Sequence, residues 1–346
     1  MKISTDWYNE IDMAFDISTA EQLAGLAELV NKGIDFTGKT INLSADIDLS
    51  DYGKDWNEGK GWIPIGSMAD REDIYDYDNY ELGCNGFKGI FNGNGKIISG
   101  LHISSGILIY AGLFGLIEGG RVENLGVVDV NISADDQTGG IAGFVKNGSV
   151  EGCYSTGKIL GFGNVGGVVG QGEGCEIKKC YFVGRVDGWD CVGGVAGSVC
   201  SGIIDTCYSA GIVSGEDNCV GGIAGSICND VEDYLIEASL SNCAALNSEV
   251  EILYSDMIGR VAKKPTCENI LKNNVAFNNM LCSGGRAFSS KNMHDNVDGA
   301  DISAADIIAD GTIGGRFTSE NGWVIENGKL PGFGASVELP GYIRVS

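Results

Sequence analysis

The chain is poor in proline, histidine and positive charge. Four prolines in 346 residues are too few for a polyproline linker or a collagen-like segment. The two histidines, His102 and His294, stand far apart, so the H-E-x-x-H signature of zinc peptidases is absent. Lys and Arg number 23 against 47 Asp and Glu, a formal charge of −24. Such a field repels phosphate backbones and anionic lipid surfaces, and no nucleic-acid partner is expected. No apolar run approaches the roughly 20 residues of a membrane span, so no membrane insertion is expected. The opening "MKISTDWYNEIDMAFD" lacks the charged and apolar regions of a secretory leader. The twelve cysteines contain no C-x-x-C spacing, which argues against a redox or zinc-knuckle motif.

What is abundant is glycine, 55 residues beside 43% hydrophobic residues. That balance describes a folded chain with many tight bends, which are expected to fall on Gly, Asn or Asp. The glycines are ordered. Gly-Gly pairs begin at Gly139, Gly166, Gly193 and Gly221, in steps of 27, 27 and 28 residues, with a weaker copy at Ala111-Gly112. The units read G-G-[IV]-[AV]-G-x-[IV], with Gly172 at the last position of the second, and three continue as C-Y-x-x-G-x-[IV] from Cys153, Cys180 and Cys207. Within "CYSTGKI", Cys153, Ser155, Gly157 and Ile159 share one face, and Tyr154, Thr156 and Lys158 the other.

The reading is a unit of two short strands with their turns. One unit cannot bury its apolar face alone, so neighbours must stack with equivalent strands paired in parallel, an all-β solenoid. Paired helices are rejected, because each mid-helix glycine would cost about 1 kcal/mol. The glycines are assigned to positive φ at corners and to close approach between coils.

Stacking predicts ladders. Cys153, Cys180 and Cys207 form one, Cys191 and Cys219 a second, Cys200 and Cys228 a third. In-register side chains on parallel strands run side by side about 4.8 Å apart, a poor geometry for a disulfide. They are read mainly as free thiols serving as small hydrophobes, with a metal or redox cluster as the less favoured alternative. Tyr154, Tyr181 and Tyr208 form an outward column, read either as a display face for a ligand or as ordinary cross-strand stabilisers.

The two ends differ from the middle. "STAEQLAGLAELVNKG" predicts a capping helix, with Ser18 at its N-cap, Glu21 completing a capping box, Gly33 at its stop and Leu23, Leu26, Ala27 and Val30 inward. "TINLSADIDLS" is a strand pattern with Ile47 and Leu49 inward and Asp46 and Asp48 outward. "NGNG" at residues 92 to 95 is expected to be the turn between strands. "NNVAFNN" from Asn273 reads as one more coil, "GADISAADIIADG" from Gly299 as a short helix, and "WVIENGKLPGF" from Trp323 as strand, turn and strand in a closing cap. The expected division is an N-terminal cap and first coils over 1–110, the repeat solenoid over 111–250 and irregular coils with a cap over 251–346, all in one elongated domain.

The units "GGIAGFV", "GGVVGQG", "GGVAGSV" and "GGIAGSI", each before a Cys-Tyr-type strand, resemble the GLUG motif of bacterial surface and secreted proteins. The N-terminal stretch through "FKGIFNGNGKIISGLHI" and the closing "WVIENGKLP" are similar to the surroundings of that motif. The resemblance implies a right-handed parallel β-helix, a module of cell-surface proteins such as adhesins, and the non-catalytic part of some immunoglobulin A metallopeptidases. The implied place is secreted or at the cell surface, and the implied partner is a surface protein or glycan of host or bacterium. A monomer is expected.

Chemistry is sparse. "GFGNVG" at 161–166 fits G-x-G-x-x-G but leads into a strand, so the phosphate cradle is missing. Six carboxylates and three tyrosines crowd residues 70–81. This stretch reads first as a solvated insertion and second as a binding loop, with Asp73, Asp76 and Asp78 for Ca²⁺ and Tyr75 and Tyr77 for a glycan or protein. No other cofactor and no catalytic residue is expected. The alternative function is a carbohydrate-active β-helix enzyme, a polysaccharide lyase or glycoside hydrolase, though Lys158 and Arg185 on the outer face have no paired carboxylates from the neighbouring repeats.

Overall fold

A computed structural model describes residues 2–66, 85–228, 237–263, 270–282, 288 and 291–344. The chain is a parallel β-solenoid of about nine turns. One turn shows the plan: β1 (Thr138–Gly139), β2 (Ala142–Lys146), β3 (Ser149–Glu151) and β4 (Tyr154–Leu160). Each pairs in parallel with its equivalent in the next turn, Thr138 with Val165, Ala142 with Val169, Val150 with Ile177 and Tyr154 with Tyr181. The turn therefore carries four strand segments where the sequence pattern shows two. Segments of two or three residues are too short to display an alternation. Among the described residues, β3 and β4 belong to a 19-stranded sheet, and β1 and β2 each to a five-stranded one.

Each turn sends Val and Ile inward. Ile141, Val145, Val150 and Ile159 are buried, as are Val168, Ile177 and Val186 in the next turn. They join one core cluster that runs from Phe15 to Met280. Each such side chain contributes about 1.5–3 kcal/mol when fully withdrawn from water.

The Gly-Gly pairs act through space and not through φ, since none of Gly139, Gly140, Gly166, Gly167, Gly193 and Gly194 has positive φ. A Cβ on Gly194 would lie 2.0 Å from Ser209 Oγ and 2.2 Å from the Gly222 carbonyl oxygen. On Gly140 it would meet Ser155 Oγ at 2.5 Å. Ser155 itself donates a buried hydrogen bond to the Gly167 carbonyl, across the narrow interior. Left-handed backbone lies instead at the other corners, before β1 at Gln137, Asn164 and Cys191, between β2 and β3 at Asn147, Gly174 and Ser201, and between β3 and β4. The column Asn124, Gly152, Lys179, Thr206, Asn242 and Asn273 has φ between 52° and 63°. Lys179 and Thr206 correct the expectation that every bend falls on Gly, Asn or Asp. Pairing on both sides holds these two residues in a conformation they do not favour alone.

The ends follow the sequence with local corrections. Helix α1 (Ala20–Asn31) buries Leu23, Leu26, Ala27 and Val30 in the shared core. Its N-cap is Thr19, which accepts from Gln22 N, while Gln22 Oε1 accepts from Ser18 N at 2.8 Å. The cap thus sits one residue later than the Ser18–Glu21 expectation, and the return bond from Gln22 reaches Ser18 N and not the N-cap itself. Ile47 and Leu49 point inward as expected. "NGNG" is a corner and not a hairpin turn. Ile90–Ser99 forms a single strand through it, with Asn94 at φ 51°, Gly95 at φ 69° and a register shift between Asn92 and Lys96. Val275–Phe277 adds a further coil, pairing in parallel with Ala244 and Ala245. Helix α2 (Ala304–Ile308) opens with a Ser303–Asp306 capping box. Trp323 to Phe333 makes only isolated antiparallel bridges, Val324 with Gly332 and Leu330 with Val337.

Steric closeness between turns generates a test. Gly211 has φ 122°, and a Cβ there would sit 1.8 Å from the Gly184 carbonyl oxygen. Gly328 has φ 79° with nothing near the added atom. Gly211→Ala is expected to destabilise by at least about 3 kcal/mol, and Gly328→Ala by about 1 kcal/mol. Thermal melts followed by circular dichroism decide; equal losses in the two variants would remove the close-approach argument.

Candidate functional site

The tyrosine ladder exists but is covered. Tyr154 and Tyr181 stack with ring centroids 4.6 Å apart and planes 4° apart, Tyr181 and Tyr208 at 4.8 Å and 2°. Tyr181 is 3% and Tyr208 0% exposed, which corrects the idea of an open display face along this column. The cover is the C-terminal segment. Trp323 and Phe333 lie against Tyr181, Phe317 packs edge-on to Tyr208, and Tyr208 Oη donates to the Pro331 carbonyl at 2.6 Å. Farther along, Tyr342 Oη accepts from Gly211 N and donates to the Leu246 carbonyl, both at 2.8 Å. Tyr154 alone stays half-buried, at a cleft of about 420 Å³ that it shares with Asn94, Asn124 and Phe333.

The cysteine columns are in register, and Cys153, Cys175, Cys180, Cys191, Cys207, Cys219 and Cys243 are free thiols. Cys153, Cys180 and Cys207 are buried, and Cys243 extends their column by one turn. Each sulfur donates to the carbonyl two residues earlier, at 3.3, 3.2, 3.3 and 3.1 Å. A small side chain with a weak donor suits this spot just after the left-handed corner. Cys200 and Cys228 face each other across adjacent turns with Sγ atoms 2.6 Å apart. Tyr75, Tyr77, Asp73, Asp76 and Asp78 lie outside the described residues.

The exposed chemistry gathers at another corner, just before the Gly-Gly strands. Phe162 and Trp189, 27 positions apart, are 58% and 40% exposed and stack at 5.9 Å with planes 8° apart. Tyr254, 71% exposed, continues the stripe at 6.2 Å from Trp189. Backbone bonds between turns fix the rings in line. Phe162 N donates to Asp135 O, Trp189 N to Phe162 O, Asp217 N to Trp189 O and Tyr254 N to Glu216 O. The same column thus reads Asp135, Phe162, Trp189, Asp217: two aromatic rings between carboxylates. Large exposed apolar groups in line are the exception on a soluble surface and mark binding. The sequence held the signal. Phe162 and Trp189 occupy the position taken by Asp in the turns before and after, but attention to the glycines of "GFGNVG" passed over its phenylalanine.

Directly beside this platform sits a polar cluster. Asp136 accepts from Gln137 N at 2.8 Å and from Asn164 Nδ2 at 3.2 Å, and burial pushes its carboxyl up from the usual range despite these bonds. Burial raises Asp135 in the same way. Asp190, Cys191 and Cys219 bring a carboxylate oxygen and two sulfurs within 4.8 Å of one another. The neighbouring Cys219 sulfur and burial push the ionisation of Cys191 up, while Cys191 and the Lys263 charge lower Cys219 to about 7. This pair is the second of the predicted ladders, and the structure adds Asp190 and Lys263 to it.

No family model matches the chain. The chain is similar to halomucin of Haloquadratum walsbyi, 29% identical over 124 residues that make up 35% of this chain and 1% of that protein. It is also similar to a candidate Gly-rich membrane protein of Evansella cellulosilytica, 34% identical over 143 residues, 39% of this chain and 14% of the relative. The chain therefore matches only a small part of either relative's length. Its fold is similar to the crystal structure of a candidate immunoglobulin A1 protease from Bacteroides ovatus, with a TM-score of 0.67, 21% identity and coverage of 93% of this chain and 92% of that one. At that identity the likeness establishes the shared fold. No described helix is long and apolar enough to cross a membrane.

The covered tyrosines give a pH test. Burial, then the neighbouring tyrosines, raises Tyr208 well above its ordinary value, and burial raises Tyr181 likewise. A raised folded-state value means that their contribution to stability is complete below about pH 10 and fades above it, by up to about 1.4 kcal/mol per pH unit for each tyrosine. Tyr208→Phe loses the Pro331 bond and is expected to be about 1–2 kcal/mol less stable at neutral pH. Its deficit against wild type should shrink above pH 10, where only wild type still carries that hydroxyl. Denaturation monitored between pH 7 and 11 checks this; a constant deficit would mean that Tyr208 is open to solvent.

Proposed function

We propose that the chain is a β-helical module of a secreted or cell-surface protein, wound right-handed as its resemblance implies, that binds a neutral glycan through Phe162, Trp189 and Tyr254. The observation that carries this reading is the exposed Phe162–Trp189 stack, with ring planes 8° apart. The exposed parts of the aromatic rings pack against the C–H groups of a pyranose, and flanking carboxylates accept from its hydroxyls. Asp135, Glu216 and Asp217 stand in that flanking position. The charge of −24 disfavours an anionic polymer at the same rings. The rigid ladder beneath holds the rings without an ordering cost on binding. Similarity to a halomucin and a Gly-rich membrane protein, and a fold shared with a candidate immunoglobulin A1 protease, support a role as a surface scaffold or adhesin.

Affinity electrophoresis and titration calorimetry against a panel of neutral polysaccharides test the proposal. Trp189→Ala and Phe162→Ala are each expected to weaken binding at least about tenfold, roughly 1.4 kcal/mol, while Trp189→Phe keeps most of the affinity and Tyr154→Ala is neutral. Repeating the titration in EDTA reports on the Ca²⁺ loop expected at Asp73, Asp76 and Asp78. Undiminished binding by Trp189→Ala would displace the site, and no saturable binding by wild type would end the glycan reading. Release of a sugar product would establish the alternative, a carbohydrate-active β-helix enzyme.

A further inference from the structure

We propose that Asp190, Cys191 and Cys219 form a binding site for a soft divalent cation, with Zn²⁺ the best match. The three donor atoms come from two successive turns and lie within 4.8 Å of one another. A tetrahedral zinc, with bonds of about 2.0–2.3 Å to oxygen and sulfur, holds its ligand atoms roughly 3.5–4 Å apart. The donors already stand close to that spacing, and rotation about the side-chain bonds closes the remainder.

A second observation points to an absent ligand. Asp190 Oδ1 is shut away from solvent and has no hydrogen-bond partner in the structure. A buried carboxylate oxygen left without a donor is unfavourable, because it has given up water and gained nothing in return. Its neighbour Asp136, by contrast, is fully engaged by Gln137 and Asn164. A cation between Asp190 and the two sulfurs satisfies that oxygen.

Donor chemistry selects the ion. Two thiolates with one carboxylate suit Zn²⁺ and disfavour Ca²⁺ and Mg²⁺, which take oxygen ligands. Zn²⁺ with these three ligands carries a net charge of −1. The positive charge of Lys263, which acts on Cys219, offsets it. Asp190 and Cys191 are half-buried, so an ion has a way in. Three protein ligands leave a fourth position for water. The site stands independently of the glycan reading, although Trp189 adjoins Asp190.

The test uses the full chain, reduced and stripped with a chelator. Co²⁺ is added as a spectroscopic probe for Zn²⁺. The expected result is one equivalent bound, with a near-ultraviolet sulfur-to-cobalt charge-transfer band and the visible bands of a tetrahedral ion, all abolished by Zn²⁺. Cys191→Ser and Cys219→Ser should each lose about half of the charge-transfer intensity and at least tenfold in affinity. Asp190→Asn should keep the sulfur band at about tenfold weaker affinity, and Cys200→Ser should match wild type. Zn²⁺ should raise the melting temperature of wild type and leave that of Cys191→Ser/Cys219→Ser unchanged. Melting of the metal-free variants shows whether each still folds, and Asp190→Asn, which leaves both sulfurs in place, carries the test if a serine variant does not. No charge-transfer band from the reduced protein, a band that survives in the double variant, or a Cys191–Cys219 disulfide whose reduction confers no metal binding would each overturn the site.

Discussion

The solenoid depends on how closely its backbone can approach itself at the Gly-Gly corner. There β1 turns into β2, and the chain passes within contact of the turn on either side and of β4 across the interior. Any Cβ at Gly194 would overlap Ser209 and the Gly222 carbonyl. The narrowness sets the rest of the cross-section. It lets Ser155 reach the Gly167 carbonyl, and it makes Phe182 fill the same space in the next turn, where its ring lies 2.3 Å from a Cβ placed on Gly167. With that corner closed, register is no longer free. A slip of one residue would send Val and Ile outward and drive a side chain into the glycine contact.

Register turns repetition in sequence into repetition in space, which is why so much of the fold was legible. The 27- and 28-residue steps are the observed pairing of Tyr154 with Tyr181 and Tyr181 with Tyr208, and of Gly166 with Gly193 and Gly193 with Gly221. The cysteine columns follow from the same arithmetic. Where the reading went wrong, the missing information was either too local or too distant. Lys179 and Thr206 take left-handed φ because their neighbours above and below do, a preference no single residue announces. The cover over Tyr181 and Tyr208 comes from residues more than a hundred positions later, outside the repeat. Alternation tells which way a side chain faces, not whether something lies on top of it. A signal was nevertheless present: Phe317, Trp323 and Phe333 are large apolar residues in a segment with no core of its own, and such residues need a surface.

Of the candidate site, the sequence showed Cys191 and Cys219 and passed over the rest. Phe162 and Trp189 were hidden by being exceptions. They replace Asp135 and Asp217 in their column, so an eye tuned to what recurs discounts them. In a solenoid the reverse weighting is the physical one. Positions that repeat are those that the stacking needs, and a departure on the outer surface is free of that need. An outer residue that breaks the pattern toward large and apolar gains nothing for the core and exposes surface to water, so it calls for a reason outside the fold.

The two features share one corner for a structural reason. Inside the coil, ladder positions are filled by small or branched apolar groups, and along the β4 face the C-terminal segment lies over the tyrosines. The loop before β1 is held by backbone bonds from turn to turn, yet its side chains point away from the core. It therefore combines fixed position with free chemistry, the pairing that a preorganised site requires. Rings stacked on this loop stay parallel because their backbones are rungs of one ladder, and donors from adjacent turns meet because the rung spacing brings them within a few ångströms. A 28-residue step in place of 27 puts Cys219 opposite Cys191, where the two earlier turns carry Asn164 and Gln137. The extra residue is absorbed between Gly215 and Val220, where it leaves the core register of Val192 with Val220 intact. Variation at this loop can thus change what the surface holds without disturbing what the interior packs.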